Sequence, residues 1–139
     1  MALSYFCVLL AAIMPIVFAG YAKLSSNGYD NSSPREFLEK LQGKSKRAYY
    51  AHLNSFEAFP AFAASVIIAH LSGVSQSQIT ILAVLFVIFR ILYGICYIFD
   101  KHSFRSTVWF GGFACVLWLF ITAILHSMNN NVPFLIIRS

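Results

Sequence analysis

Charge is the scarcest thing in this chain: only 11% of its 139 residues are Asp, Glu, Lys or Arg. A water-soluble domain carries roughly a quarter. Acidic residues are rarer still, five against ten Lys and Arg, which leaves a formal net charge of +5. A positive balance can signal nucleic-acid binding, but a basic patch needs an exposed domain to sit on. Here the bases cluster between long apolar segments, so a nucleic-acid partner is set aside and the distribution is read as membrane topology. Cysteine is sparse too. Cys7, Cys96 and Cys115 stand at unrelated spacings inside apolar stretches, without a metal-ligand or redox pattern. Each reads as a small buried hydrophobe. The four histidines are scattered and no pair has zinc-site spacing, so no metal is expected.

What fills the chain instead is apolar sequence, 59% of all residues. Four segments occupy most of the length and leave no room for a separate soluble domain. The expectation is a single all-α integral membrane domain over residues 1–139, a four-transmembrane-helix bundle. Ala2 to Ala22 is an uncharged run of about the ~20 residues that span hydrocarbon. A signal peptide is the competing reading, and the missing basic stretch before the run argues against it. Pro15, mid-span, is expected to kink the helix or free a carbonyl. The second, third and fourth spans are expected at about 45–71, 77–99 and 104–127.

Between the first two spans, residues 23–46 form the one long polar connection. Ser25-Ser26-Asn27-Gly28 and Asp30-Asn31-Ser32 are turn formers. Ser33-Pro34-Arg35-Glu36 then has the form of a capping box with proline in the first helical position. Glu36 and Lys40 stand four apart in the favourable order, and Gly43 supplies a stop. A short interfacial helix from Pro34 to Gln42 is expected, with Phe37, Leu38 and Leu41 as its apolar side. The other connections are short, Ser72 to Gln76 and Asp100 to Ser103. The tail from Asn129 holds an apolar stretch, Pro133 to Ile137, too short to span, suited to the membrane surface or a neighbouring subunit.

Lys23, Arg35, Lys40, Lys44, Lys46 and Arg47 flank or fill the first connection, and Lys101 and Arg105 the third. By the positive-inside rule these two connections are cytoplasmic and both termini lie outside. The polar residues of the spans gather at those same ends. Arg47, Tyr50, Asn54 and Glu57 follow one another at spacings of three, four and three, which is one helix face. Arg90, Tyr93 and Tyr97 form a second such face on the third span, and Arg105 and Ser106 open the fourth. Ionisable groups in a membrane span need a partner or a wet cavity, which makes them functional-site candidates. The bland alternative is an ion-pair and hydrogen-bond network that only fixes helix packing.

As chemistry, Arg47 and Arg90 are bidentate carboxylate receptors, Glu57 can take an ammonium and Asn54 an amide. Tyr93 and Tyr97 add hydroxyls and aromatic walls. Such a set suits a small zwitterionic ligand with several carboxylates. Arg105 sits where its charge adds to the positive end of a helix dipole. A thiol held there would ionise below its usual pKa of ~8.5, and Ser106 could donate to the same sulfur. The commoner role for such an arginine is an anchor at a helix end.

The stretch Arg47 to Pro60, with its Ala51-His52-Leu53-Asn54-Ser55-Phe56-Glu57-Ala58-Phe59-Pro60 core, resembles the signature of the MAPEG family. These are the membrane-associated proteins of eicosanoid and glutathione metabolism. Arg90 to Tyr97, followed by Phe104-Arg105-Ser106-Thr107-Val108-Trp109, is similar to the family's second block. Neither block is specific alone; both in order, on the right helices, are. The resemblance implies a four-helix protomer in a homotrimer, with glutathione as co-substrate bound between subunits near the cytoplasmic face. By the same resemblance Asn54 and Glu57 match glutathione-binding positions, and Arg90, Tyr93 and Tyr97 their helix-three counterparts. Arg105 matches the arginine that stabilises the thiolate, and Ser106 the serine beside it in the prostaglandin-forming branch. His52 matches a histidine-or-glutamine position turned away from Asn54, free to reach a subunit neighbour. One departure is Tyr50, where glutathione-using members often carry arginine; Arg47, one turn earlier, is the candidate substitute. The wording looks like that of bacterial members, and a bacterial inner membrane is the expected location.

The function so implied is a glutathione transferase or peroxidase acting on lipophilic electrophiles or hydroperoxides dissolved in the membrane lipids. A non-catalytic ligand-binding or scaffold protein of the same fold stands beside it. A transporter is third, because the polar groups gather at one depth and do not line a route across.

Overall fold

The computed structural model describes residues 2–130, and the expectation for the Pro133 to Ile137 stretch lies outside them. The described residues form five helices: α1 (Ala2–Leu24), α2 (Pro34–Lys40), α3 (Gly43–Leu71), α4 (Gln76–Ile98) and α5 (His102–Asn130). Sequence boundaries are met within a few residues. α5 runs further at both ends than expected, because His102, Ser103 and Met128 to Asn130 continue its turns.

Three helices, α1, α4 and α5, are long and apolar enough to cross a membrane. α3 is not among them. Its 29 residues suffice in length, but Lys44, Lys46, Arg47, Asn54 and Glu57 crowd its first half and lower its hydropathy. Of the four expected spans, α1, α4 and α5 thus stand as candidates by length and composition, and α3 carries its polar residues along one end. The outward faces of all four long helices remain apolar, with Ile16, Ile67, Ile81, Phe110 and Ile124 each at least half exposed. In water that surface would be a liability; in lipid it is the solvated face.

α3 packs against α1, α4 and α5, and α4 also meets α1 and α5. The core joins Cys7, Ala11 and Met14 of α1 to Phe62 and Val66 of α3, Ala83 and Phe86 of α4, and Cys115 and Leu119 of α5. At its centre the rings of Phe62 and Phe86 stack with centroids 3.8 Å apart. Cys7 and Cys115 are buried thiols and Cys96 is half-buried. Pro15 is buried within an α1 that continues past it as one helix. His52 Nδ1 lies 2.8 Å from the Pro15 carbonyl oxygen. A carbonyl only accepts, so this contact fixes the Nδ1–H tautomer. His52 thus reaches α1 of its own chain.

Two helix ends are closed by the same device. After α3, Val74 N–H bonds Ala69 O and Gly73 N–H bonds His70 O, with Gly73 at φ +79°. After α4, Lys101 N–H bonds Cys96 O and Asp100 N–H bonds Tyr97 O, with Asp100 at φ +61°. Both are the six-to-one and five-to-two pattern that satisfies the last carbonyls of a helix. α2 begins at Pro34 as expected, but Ser33 makes no side-chain cap. Lys40 does pair with Glu36, and Leu38 and Leu41 pack on Ala22, Ala48 and Ile98. Gly43, expected as the stop of that helix, instead starts α3 at φ +58°.

The helix ends segregate by chemistry. Ser25 and Ser45 join α1's end to α3's start at 2.8 Å, and Arg47 Nε donates to Ile98 O at 3.0 Å, so the basic residues share one end. At the other end Ser4 Oγ lies 3.0 Å from His70 Nε2 and 3.5 Å from Gln76 Nε2.

Candidate functional site

The site begins from Arg90, which α4 carries at 4% exposure toward α3. A buried guanidinium must find acceptors, and Nη2 donates to Asn54 Oδ1 at 2.9 Å and Ser55 Oγ at 3.2 Å. Its cation also lies 4.5 Å from the ring centroid of Tyr93, one turn further along α4. Asn54 in turn donates through Nδ2 to Glu57 Oε2 at 3.3 Å. That bond is long, and Glu57 is an exposed side chain, so most of its acceptor capacity is open.

The second centre sits nearer the charged end. Arg105, the fourth residue of α5, holds its guanidinium 4.4 Å from the Tyr97 ring centroid. Tyr97 meets Tyr93 edge-to-face at 5.5 Å, and Tyr50 at 6.2 Å. Cation and ring attract by ~1 kcal/mol when partly desolvated, enough to bias where the guanidinium rests. Ser106 Oγ reaches back only to His102 O at 3.4 Å, a weak bond easily exchanged.

Two adjoining cavities result. One, of about 190 Å³, is lined by Asn54, Glu57, Ala58, Ala61, Arg90, Trp109, Phe113 and Val116. The other, of about 160 Å³, is lined by Tyr93, Arg105, Ser106, Trp109 and Phe110. Trp109 belongs to both walls. The first is polar at one end and apolar toward Ala61 and Val116; the second brings a fixed cation and a hydroxyl together.

Of the residues the sequence singled out, Asn54, Glu57 and Arg90 come together in the first cavity, and Tyr93, Arg105 and Ser106 in the second. Tyr97 stands behind Arg105. Arg47 lines neither cavity, its Nε being committed to the end of α4. Sequence reasoning missed Ser55 and Trp109. Ser55 lies off the Asn54–Glu57 face, and only the packing of α4 turns that flank toward Arg90. Trp109 had a usable signal: it follows Arg105 by four residues and precedes Phe113 by four, hence one face of α5.

A helical chain with apolar flanks and cationic side chains gathered at one end defines an integral membrane protein. The MAPEG family model matches residues 3–125, nearly the whole chain, and the protein belongs to the MAPEG family. No curated protein and no solved structure matches it.

Proposed function

We propose that the protein is a membrane-bound glutathione transferase, with peroxidase chemistry toward lipophilic hydroperoxides as its companion activity. In this reading four helices cross the bilayer in each protomer, three protomers associate, and the charged end faces the cytoplasm of a bacterium. The observation that carries it is the junction of the two cavities: Arg105 and Ser106 on one side of Trp109, Asn54, Glu57 and Arg90 on the other.

The residues present fit a thiol peptide unequally. Glu57 has open acceptor positions for an ammonium, and Asn54 presents an amide. Arg90 lines the cavity but spends one nitrogen on Asn54 and Ser55. Arg105, held over the Tyr97 ring, has no carboxylate paired to it among the described residues and keeps its charge for a ligand. Glutathione supplies the thiol that becomes the nucleophile. Arg105 stabilises negative charge at that sulfur and so lowers the thiol pKa from its usual ~8.5. Ser106 exchanges its weak bond to His102 O for donation to the same charge. Tyr93 and Phe110 wall the cavity and limit water. Lipophilic acceptors arrive laterally from the bilayer along the apolar side of the first cavity.

A second reading, a ligand-binding or scaffold protein of the same family, is favoured by one observation: Arg47 and Arg90 are both engaged within the chain. Addition of glutathione to purified protein separates the two. The transferase reading expects thiolate ultraviolet absorbance near neutral pH and conjugation of 1-chloro-2,4-dinitrobenzene, both lost in Arg105→Ala. Saturating glutathione without a thiolate signal in the wild type overturns it. Binding with a thiolate signal but no turnover on any electrophile or hydroperoxide supports the second reading.

A further inference from the structure

A third cavity shares no lining residue with the two beside Trp109. It opens between α1 and α4, has a volume of about 260 Å³, and every residue lining it is apolar. Leu10, Ile13 and Val17 form one wall and Val87, Ile91 and Ile95 the other. Phe18 lines it at the end nearer Tyr21, with its ring pressed onto Gly94 so closely that a Cβ there would stand 1.9 Å away. Phe18 therefore has little freedom, and the groove is preformed.

Length, width and charge together select an occupant. From Leu10 to Phe18 the helix rises ~12 Å, less than half of the ~30 Å hydrocarbon core. The groove thus runs from the middle of α1 toward its charged end and is shorter than one leaflet is thick. A slot of this size takes an extended hydrocarbon chain along its length, whereas a partner helix ~10 Å across could only rest on its rim. The groove also points to a cation. One turn beyond Ile95, on the same face of α4, stands Phe99, 58% exposed, and Lys44 Nζ lies 5.5 Å from its ring centroid. One turn beyond Val17 on α1, Tyr21 is exposed as well. A hydrocarbon slot ending at two aromatic side chains and an ammonium has the sequence of polarities found in one half of a bilayer.

We propose that the α1–α4 groove holds an acyl chain of an anionic phospholipid whose phosphate is taken by Lys44. The chain lies along Leu10, Val17 and Ile91, and the aromatic rings of Tyr21 and Phe99 mark the level of the glycerol backbone. Lys44 contributes as a point charge, through a flexible stem that reaches from α3 to the head of the groove. The site requires no turnover and stands apart from the thiol chemistry above.

The test is lipid retention. Full-length protein is reconstituted in vesicles of equal phosphatidylglycerol and phosphatidylcholine, extracted in mild detergent, and examined by native mass spectrometry for lipid per chain. Wild type is expected to keep phosphatidylglycerol at least five-fold over phosphatidylcholine. Lys44→Gln, at an exposed position, is expected to lose the preference while still keeping lipid. Val17→Trp, which fills the groove, is expected to lose at least ten-fold of the retained lipid. Equal retention of both lipids by wild type overturns the proposal, as does a Val17→Trp protein that folds and retains lipid normally. A change of oligomeric state in Val17→Trp would overturn it as well, by showing that a second copy of the chain seats there.

Discussion

Arg90 and Asn54 face each other across the α3–α4 contact, with Nη2 and Oδ1 2.9 Å apart. The same guanidinium that lines the first cavity therefore also clamps two helices. Glu57, three residues on, has no such second duty. The pair separates structural from ligand-binding roles. Interhelical hydrogen bonds in membranes average ~0.6 kcal/mol each, and Arg90 makes two as well as a cation–ring contact. Arg90→Ala is expected to cost about 2 kcal/mol of stability. Glu57→Gln, at an exposed side chain, should stay within ~0.5 kcal/mol of wild type yet weaken glutathione binding. Detergent-solubilised unfolding and binding isotherms on both variants check this. Equal destabilisation by the two would make Glu57 a packing residue.

Phe18 and Gly94 predict a steric effect. A methyl at position 94 overlaps the Phe18 ring, so α1 and α4 must separate or the ring must swing into the groove. Overpacking of this kind costs ~1–3 kcal/mol. Gly94→Ala should lower the unfolding midpoint, and Phe18→Leu in the same chain should recover part of the loss. An unaffected single variant contradicts the close contact.

The turn before α5 sets where Arg105 begins. Asp100 adopts φ +61°, a conformation that β-branched residues tolerate poorly. Asp100→Val is expected to cost ~1–2 kcal/mol, and Asp100→Gly to be neutral or better. Because the turn orients the first residues of α5, Asp100→Val should also reduce the thiolate signal. Unfolding and absorbance measured on the same preparations test both parts.

Trp109 walls both cavities, so its removal joins them. Trp109→Ala should leave glutathione ionisation in place while conjugation falls at least ten-fold, because the acceptor loses its positioning surface; ten-fold corresponds to ~1.4 kcal/mol at the transition state. The two assays are read side by side. A variant that keeps full turnover removes Trp109 from the site.

In the first connection, hydrogen bonds from the Ser32 hydroxyl and backbone N–H hold the Asp30 carboxyl below its usual range. Lys40 does the same for Glu36. A depressed carboxylate contributes stability above its unfolded pKa, and that contribution disappears as pH falls through the folded value. The loop around Ser32 should therefore loosen in acid, not base. Amide exchange at Ser32, whose N–H donates to Asp30 at 2.8 Å, should lose protection below the ordinary carboxylate range. Protection unchanged in acid would show that the bond adds nothing.

Much of this protein was determined by the sequence alone. An uncharged run from Ala2 to Ala22 has nowhere stable to be except in hydrocarbon, and three- and four-residue spacings put Asn54 with Glu57 and Arg90 with Tyr93 whatever the fold. Helical periodicity is local, so it survives without tertiary knowledge. Which partner each side chain takes is not local. Arg47 shares a face with Asn54, yet the end of α4 passes close enough to claim its Nε. His52, turned away from that face, meets the Pro15 carbonyl because α1 packs there. Ser55 and Trp109 become site residues only when α4 and α5 close on α3. Those choices depend on helix-to-helix distance and rotation, which follow from shape at contacts such as Phe18 on Gly94, and such contacts join residues far apart in the chain.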